Sequence, residues 1–185
     1  NKFKFKDSGS KTQTQESEPE ENGVPKKGII YQNNASFQFT EKKPTKGIIF
    51  YTDNQLKLKI AHKVQRQLKK ISKEKNIPIV SASLKKMIFG DKNIYFPHLK
   101  RGYFAMFKQI LGALENSKAD IVFFTEHDVL YHPSHFDFIP PDKETFCYNQ
   151  NVWYLRQDGH ALHYDVNQLS GLCVYREAAL THFKE

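Results

Sequence analysis

Apolar positions along the chain fall into two patterns. Residues 47–52, Gly-Ile-Ile-Phe-Tyr-Thr, form a short continuous apolar run with β-branched members, as in a strand buried on both faces. Within residues 55–75, Ile60, Ala61, Val64, Leu68 and Ile71 then recur at helical spacing with lysines on the opposite face. Thr52-Asp53-Asn54 supplies N-cap chemistry for that helix. Ile77-Pro78-Ile79-Val80 reads as a second strand, with its proline near the start, where a missing N–H is tolerated. Residues 84–102, carrying Gly90-Asp91, Pro97 and Gly102, read as a long loop. Tyr103, Met106, Phe107, Ile110, Leu111 and Leu114 make one broad helical stripe, and residues 119–125 a further buried strand. After Asp128 the pattern shortens. Small strands and turns are predicted over 145–175, with an apolar run at 172–175, and a helix begins over 176–183.

The order strand, helix, strand, loop, helix, strand predicts βαβ units: an α/β, Rossmann-like domain with a mostly parallel sheet flanked by helices. Ligands of such open sheets sit beyond the carboxyl ends of the strands. That rule selects Thr52-Asp53 and Glu126-His127-Asp128 together.

The two ends of the chain read differently from its middle. Residues 1–27 are rich in Ser, Thr, Gln, Glu and Lys, with Phe3, Phe5 and Val24 as the clearly apolar side chains. Such a segment buries too little surface to offset its ordering entropy, so a disordered N-terminal tail is expected. Gly28-Ile29-Ile30-Tyr31 echoes Gly47-Ile48-Ile49-Phe50-Tyr51 and supports one strand at most. The expected division is an N-terminal extension over 1–46, largely disordered, and a folded domain over 47–185. The helix over 176–183 lacks closing Gly or Pro punctuation, so a C-terminally truncated fragment is one reading of the sequence, and whether residues after 185 complete the site is left open.

Composition narrows the classes. The chain has 185 residues, of which 39% are hydrophobic and 14% aromatic, enough for one packed core and too apolar for wholesale disorder. No apolar run approaches the length of a membrane span, and no secretory signal pattern opens the chain. Cys147 and Cys173 sit in apolar contexts and read as small core residues rather than a disulfide framework. A cytoplasmic protein is expected. The net charge of +8 is concentrated in residues 55–76, where eight Lys/Arg stand against one Glu. This stretch reads as a solvated helix face. The weighed alternative is a surface for nucleic acid, anionic lipid or an acidic acceptor. Nucleic acid is disfavoured, because no aromatics interleave the charges and no recognition motif is present.

The strongest chemical signal is Ile121-Val122-Phe123-Phe124-Thr125-Glu126-His127-Asp128. Two carboxylates one residue apart follow a buried strand. Carboxylate oxygens are natural ligands of Mg²⁺ and Mn²⁺, and a cation held there could neutralise a diphosphate leaving group. Strand-terminal acids also occur in P-loop NTPases, but the chain contains no G-x-x-x-x-G-K-[ST] loop.

With these residues in view, 47–185 resembles the GT-A-type glycosyltransferases, the nucleotide-diphospho-sugar transferase superfamily, family 2-like, with a DxD motif. Residues 48–54 resemble the first strand, whose end contacts the nucleotide. Residues 101–114 and 120–128 resemble the helix and strand that lead into the metal motif. Residues 170–176 resemble the acceptor-side strand. The resemblance implies transfer of a sugar from a UDP- or GDP-linked donor to a carbohydrate or other hydroxyl acceptor, assisted by Mn²⁺ or Mg²⁺. It implies that Thr52 and Asp53 hold the base or ribose, and that Arg101 and Gly102 face the diphosphate from a helix N-terminus. Glu126 and Asp128 take the DxD positions, where Glu126 can reach metal or ribose and Asp128 is the main metal ligand. Ser170 and Gly171 line the acceptor side. Glu126 stands where the family has Asp. No catalytic base is assigned, Glu177 and Asp165 being weak candidates.

Other residues were weighed against these. His127, His132 and His135 crowd one loop, but a zinc site is disfavoured. In extended geometry His127 faces away from its two acidic neighbours. Contact of one of these histidines with donor phosphate is the better alternative. His160 and His163 read as a hairpin surface, and Trp153 and Tyr154 as core rather than sugar-stacking residues. Two rival functions remain. A sugar nucleotidyltransferase needs a Gly-rich basic loop where this chain has Thr52-Asp53-Asn54-Gln55. A non-catalytic binding module would use the basic 55–76 face.

Overall fold

Strand β1 (Lys46–Thr52) lies in the interior of the main sheet, buried from Gly47 onward. The structure, a computed structural model, describes residues 42–185. The expected tail over 1–27 and the possible strand at 28–31 lie outside the described residues. In chain order there follow α1 (Leu58–Lys75), β2 (Ile79–Ser83), β3 (Lys92–Tyr95), α2 (Tyr103–Asn116), β4 (Ile121–Glu126), β5 (Cys147–Tyr148), β6 (Val152–Leu155), β7 (Ala161–Tyr164), β8 (Leu172–Tyr175) and α3 (Arg176–Lys184). Six strands form one sheet in the order β3-β2-β1-β4-β8-β5, and β6-β7 form a separate hairpin. Strands β3, β2, β1 and β4 run parallel, while β8 is antiparallel to both β4 and β5. This is an α/β domain with a mostly parallel, mixed sheet flanked by three helices. Among the described residues no helix is long and apolar enough to cross a membrane.

Side chains alternate across a strand, so β1 feeds two cores. Ile49 and Tyr51 join Ile110, Ala113, Leu114, Phe124 and Leu180 on the side of α2 and α3. Ile48 and Phe50 join Val64, Leu68, Ile71 and Phe123 on the side of α1. Each fully buried aliphatic or aromatic side chain contributes roughly 1.5–3 kcal/mol. The apolar stripe of α1 is narrower than its spacing predicts: Val64, Leu68 and Ile71 are buried, whereas Ile60 is 45% exposed. On α2, Ile110 and Leu114 are buried, but Tyr103 and Phe107 of the predicted stripe are largely exposed.

Three local expectations are corrected. The 84–102 segment is not all loop, because it contains edge strand β3. Polar groups rather than apolar alternation hold that strand: Asn93 Nδ2 donates to Ser81 Oγ at 2.9 Å and Ser83 Oγ at 3.1 Å, and Asp91 Oδ2 accepts from Ile79 N at 2.7 Å. Gly90 reaches this turn with φ +82°, where a Cβ would meet the Ile79 carbonyl at 2.6 Å. Strand β2 begins later than its apolar run and continues through Ser81 and Ser83, both fully buried. Ser81 Oγ donates to Phe89 O at 2.6 Å, so small polar residues complete a buried strand. Finally, Thr52-Asp53-Asn54 does not cap α1. The N-cap is Lys57, without a side-chain cap bond. The Thr52 and Asp53 side chains instead accept from Asn54 N (3.0 Å) and Gln55 N (2.9 Å), forming a turn. Just ahead of the core strand, Thr45 N donates to Asp120 Oδ2 at 2.7 Å, and Lys46 opens β1.

Candidate functional site

The strand order reverses between β1 and β4. Strands β2 and β3 lie to one side of β1, and the chain returns through α2 to place β4 on the other. A crevice opens at such a switch point, beyond the carboxyl ends of the strands. Here it is a cavity of about 320 Å³ lined by the end of β1 (Tyr51, Thr52, Asp53), the end of β4 (Glu126, His127, Asp128) and the start of α2. Six of the eight site residues read from the sequence, Thr52, Asp53, Arg101, Gly102, Glu126 and Asp128, therefore meet at one cavity.

Their roles within it differ. Asp53 Oδ2 forms an ion pair with Arg101 Nε at 2.7 Å, and its other oxygen lies 3.9 Å from His127 Nδ1. Arg101 stays mostly exposed and has no ion-pair partner besides Asp53 among the described residues. Gly102 is the N-cap of α2, at φ 151°, and no side chain caps the helix. Its first turn carries no acid, so N–H groups of that turn are available to an anion. Thr52 is nearly buried and its polar atoms are engaged: Oγ1 accepts from Asn54 N, and its carbonyl accepts from Gln109 Nε2 at 2.7 Å. Thr52 thus shapes the floor more than it offers a free group.

Glu126 is the most constrained acid. Tyr51 Oη donates to its Oε1 at 2.5 Å, and its backbone N–H donates to Tyr131 Oη at 3.0 Å. Burial pushes the Glu126 carboxyl above its ordinary range. The Tyr51 hydrogen bond opposes this, Asp128 reinforces it, and His127 opposes it. Burial, followed by the Glu126 charge, also holds the Tyr51 hydroxyl protonated well beyond its usual range, so it remains a donor. Asp128 is exposed. His127 corrects the alternation argument. The strand ends at Glu126, the next two residues turn, and His127 lines the same cavity as its acidic neighbours.

Ser170 and Gly171 do not line this cavity. They are buried in a short 3-10 turn, Leu169–Gly171, that packs against β4. A Cβ on Gly171 would meet the Asn149 carbonyl at 2.8 Å, so glycine permits that close approach. His135 is buried against Phe123, Tyr131 and Phe136 rather than presented to a ligand. Its Nδ1 lies 3.1 Å from Asn149 Nδ2, and Nε2 has no partner among the described residues. Trp153 and Tyr154 are not core: they are 57% and 50% exposed on the β6–β7 hairpin, with His163 packed beside Trp153. His160 is exposed at the same hairpin.

Sequence reasoning missed Tyr51, Gln109 and Tyr131, which orient the cavity walls. The two tyrosines count as apolar filling in a periodicity scan. Gln109 carried a visible signal, a polar residue inside the apolar stripe of α2. Its amide is 2% exposed and ties that helix to the end of β1. Among known proteins, no family model matches the chain and no curated sequence matches it significantly.

Proposed function

We propose that the chain is the donor-nucleotide half of a GT-A-type glycosyltransferase, moving a sugar from a UDP- or GDP-linked donor to a carbohydrate or other hydroxyl acceptor in the cytoplasm. The observation that supports this reading is the convergence of Asp53, Arg101, Glu126, Asp128 and the uncapped start of α2 on one cavity at the β1/β4 switch point. An acid and a base of the wall meet an anion-binding helix end there, as a nucleotide diphosphate requires.

In this reading Asp53, steadied by Arg101, accepts hydrogen bonds from the base or ribose. The outer guanidinium nitrogens of Arg101 and the N–H groups after Gly102 hold the diphosphate. Tyr51 fixes one Glu126 oxygen and leaves the other to reach ribose or metal. Ser170 and Gly171, buried against β4, are assigned no substrate contact in this reading. No three His, Cys, Asp or Glu side chains among the described residues are grouped to cage an ion. The donor set instead suits Mg²⁺ or Mn²⁺ bound through Asp128, with phosphate oxygens and water completing the shell. When bound, the ion supplies charge neutralisation of the departing diphosphate.

Calorimetric titration of UDP and GDP, with and without Mn²⁺, tests this. One nucleotide is expected to bind in a metal-dependent manner, and Asp128→Ala is expected to weaken it at least about 100-fold. Binding of neither nucleotide to a folded protein, or wild-type binding by Asp128→Ala, would sink the assignment. Pyrophosphate release from a nucleoside triphosphate and a sugar phosphate would instead make the chain a nucleotidyltransferase.

A further inference from the structure

We propose that the solvent face of α1 and the adjoining β2–β3 connection form a docking surface for an anionic lipid bilayer. The inference is independent of the donor assignment, since none of the docking residues lines the cavity.

The charge is one-sided. Lys57, Lys59, Lys63, Arg66, Lys69 and Lys73 are all exposed on α1, and none has a carboxylate partner among the described residues. On this face Glu74 pairs with Lys70 at 3.8 Å. The β2–β3 connection adds exposed Lys85 and Lys86. Two contacts join this connection to the turn between β1 and α1: Asn54 Oδ1 accepts from Lys85 N at 2.8 Å, and Asn54 Nδ2 lies 3.8 Å from Met87 Sδ. Further along, Lys69 Nζ sits 5.8 Å from the centre of the Phe89 ring. The two segments therefore make one surface.

Aliphatic residues stand out within this cationic field. Ile88 is 97% exposed, Leu58 71% and Ile60 45%. Their burial at the headgroup–acyl boundary is favourable, and lysines keep their ammonium groups at the headgroups while their stems pack on apolar surface. A nucleic-acid backbone gives protruding aliphatics nothing to enter. Recognition of nucleic acid favours arginine and stacking aromatics, whereas this surface is dominated by lysine. Charge complementarity and the apolar tips thus point to the same occupant. The surface begins at the carboxyl end of β1, the end that carries the cavity.

Co-sedimentation of the full chain with vesicles tests this. The probes are phosphatidylcholine alone and phosphatidylcholine with about 30% phosphatidylglycerol, a strongly anionic surface. Binding is expected with the anionic vesicles alone, falling about tenfold or more when salt rises from about 0.1 M to about 0.5 M. The triple substitution Lys57→Gln, Lys59→Gln, Lys63→Gln is expected to weaken it about tenfold or more, and Ile88→Ser about fivefold. Ile88 is almost wholly exposed, so its substitution leaves the fold intact and decides the matter if the triple variant unfolds. No binding to anionic vesicles, equal binding to neutral ones, or binding indifferent to Ile88→Ser overturns the proposal. So does tighter binding to duplex nucleic acid than to vesicles.

Discussion

Two cavities open at opposite ends of β1, and they use charge in opposite ways. The one at the carboxyl end holds about 320 Å³. The one at the amino end is larger, about 600 Å³, and is walled by Lys43, Lys46, Lys75, Lys118 and Asp137. Yet much of the charge of the larger cavity is spent within its own wall. Lys46 Nζ donates to Phe136 O at 2.9 Å and Asp137 O at 2.8 Å, and Lys75 pairs with the Asp137 carboxylate at 2.5 Å. Burial lowers the Lys46 pKa, as for a cation enlisted in packing. At the carboxyl end, Glu126 gives one oxygen to Tyr51, and Arg101 pairs with Asp53 while staying mostly exposed. Strand polarity explains the contrast. Parallel connections bring turns and the N-terminus of α2 to one end. The other end receives the C-terminus of α1, whose last turn carries Lys73 and Lys75 in keeping with its dipole. The two cavities thus differ in how far their polar groups are engaged by their own walls, and not only in volume.

The comparison is strained most by acid. The segment Pro133–Asp137 walls the amino-end cavity and contains His135, whose pKa burial lowers from 6.5 to about 4. Below pH 6.5 the unfolded chain takes up this proton while the folded chain refuses it until about pH 4. The stability it confers is therefore present above pH 6.5 and lost as pH falls toward 4, up to about 3 kcal/mol. Glu126 acts the other way: its raised pKa lets the folded form take a proton before the unfolded one. Urea unfolding at pH 7 and pH 4.5 measures the loss, and His135→Leu is expected to flatten it. An equal loss in the variant would place the acid-sensitive group elsewhere.

A smaller effect separates the two ends directly. Lys46→Met leaves the carbonyls of Phe136 and Asp137 without the donor they share. This should cost about 1–3 kcal/mol of stability. Nucleotide affinity at the far end of β1 should stay within about twofold of wild type, as befits distant, uncoupled sites. A large loss of affinity in a folded Lys46→Met protein would mean that the amino-end cavity belongs to the function.

The same contrast explains what was legible in the sequence. Strands β1 and β4 and helices α1 and α2 were legible because burial on a sheet or helix face leaves an apolar period. That the ends of β1 and β4 meet at one cavity was legible because strand polarity follows from the βαβ order. Strand β3 was not, since Asn93 and Asp91 bind it through hydrogen bonds that carry no apolar signature. Nor was the amino-end wall: the bond from Lys46 to Phe136 O spans 90 residues, and no local pattern announces it. His127 was misplaced because alternation was extended past Glu126, where the strand stops. Trp153 was assigned to the core because an aromatic in a strand usually has a sheet to cover, whereas β6 pairs with β7 alone.

The smallest expected effect tests whether the lysines at the amino end are staples or an unfilled anion site. Lys75→Met removes the ion pair with Asp137, whose side chain is 64% exposed. A pair this accessible is worth about 0.5 kcal/mol and is screened by salt. Chemical denaturation at low salt should therefore show a loss of that order, shrinking as salt rises. An anion site predicts the reverse. Its clustered lysines would repel one another when empty, so Lys75→Met would stabilise the protein at low salt, and added phosphate would stabilise the wild type alone. The sign of one small change thus decides whether the larger cavity is a wall or a second site. The contacts of Lys46 and Lys75 with the Phe136–Asp137 segment argue for the wall.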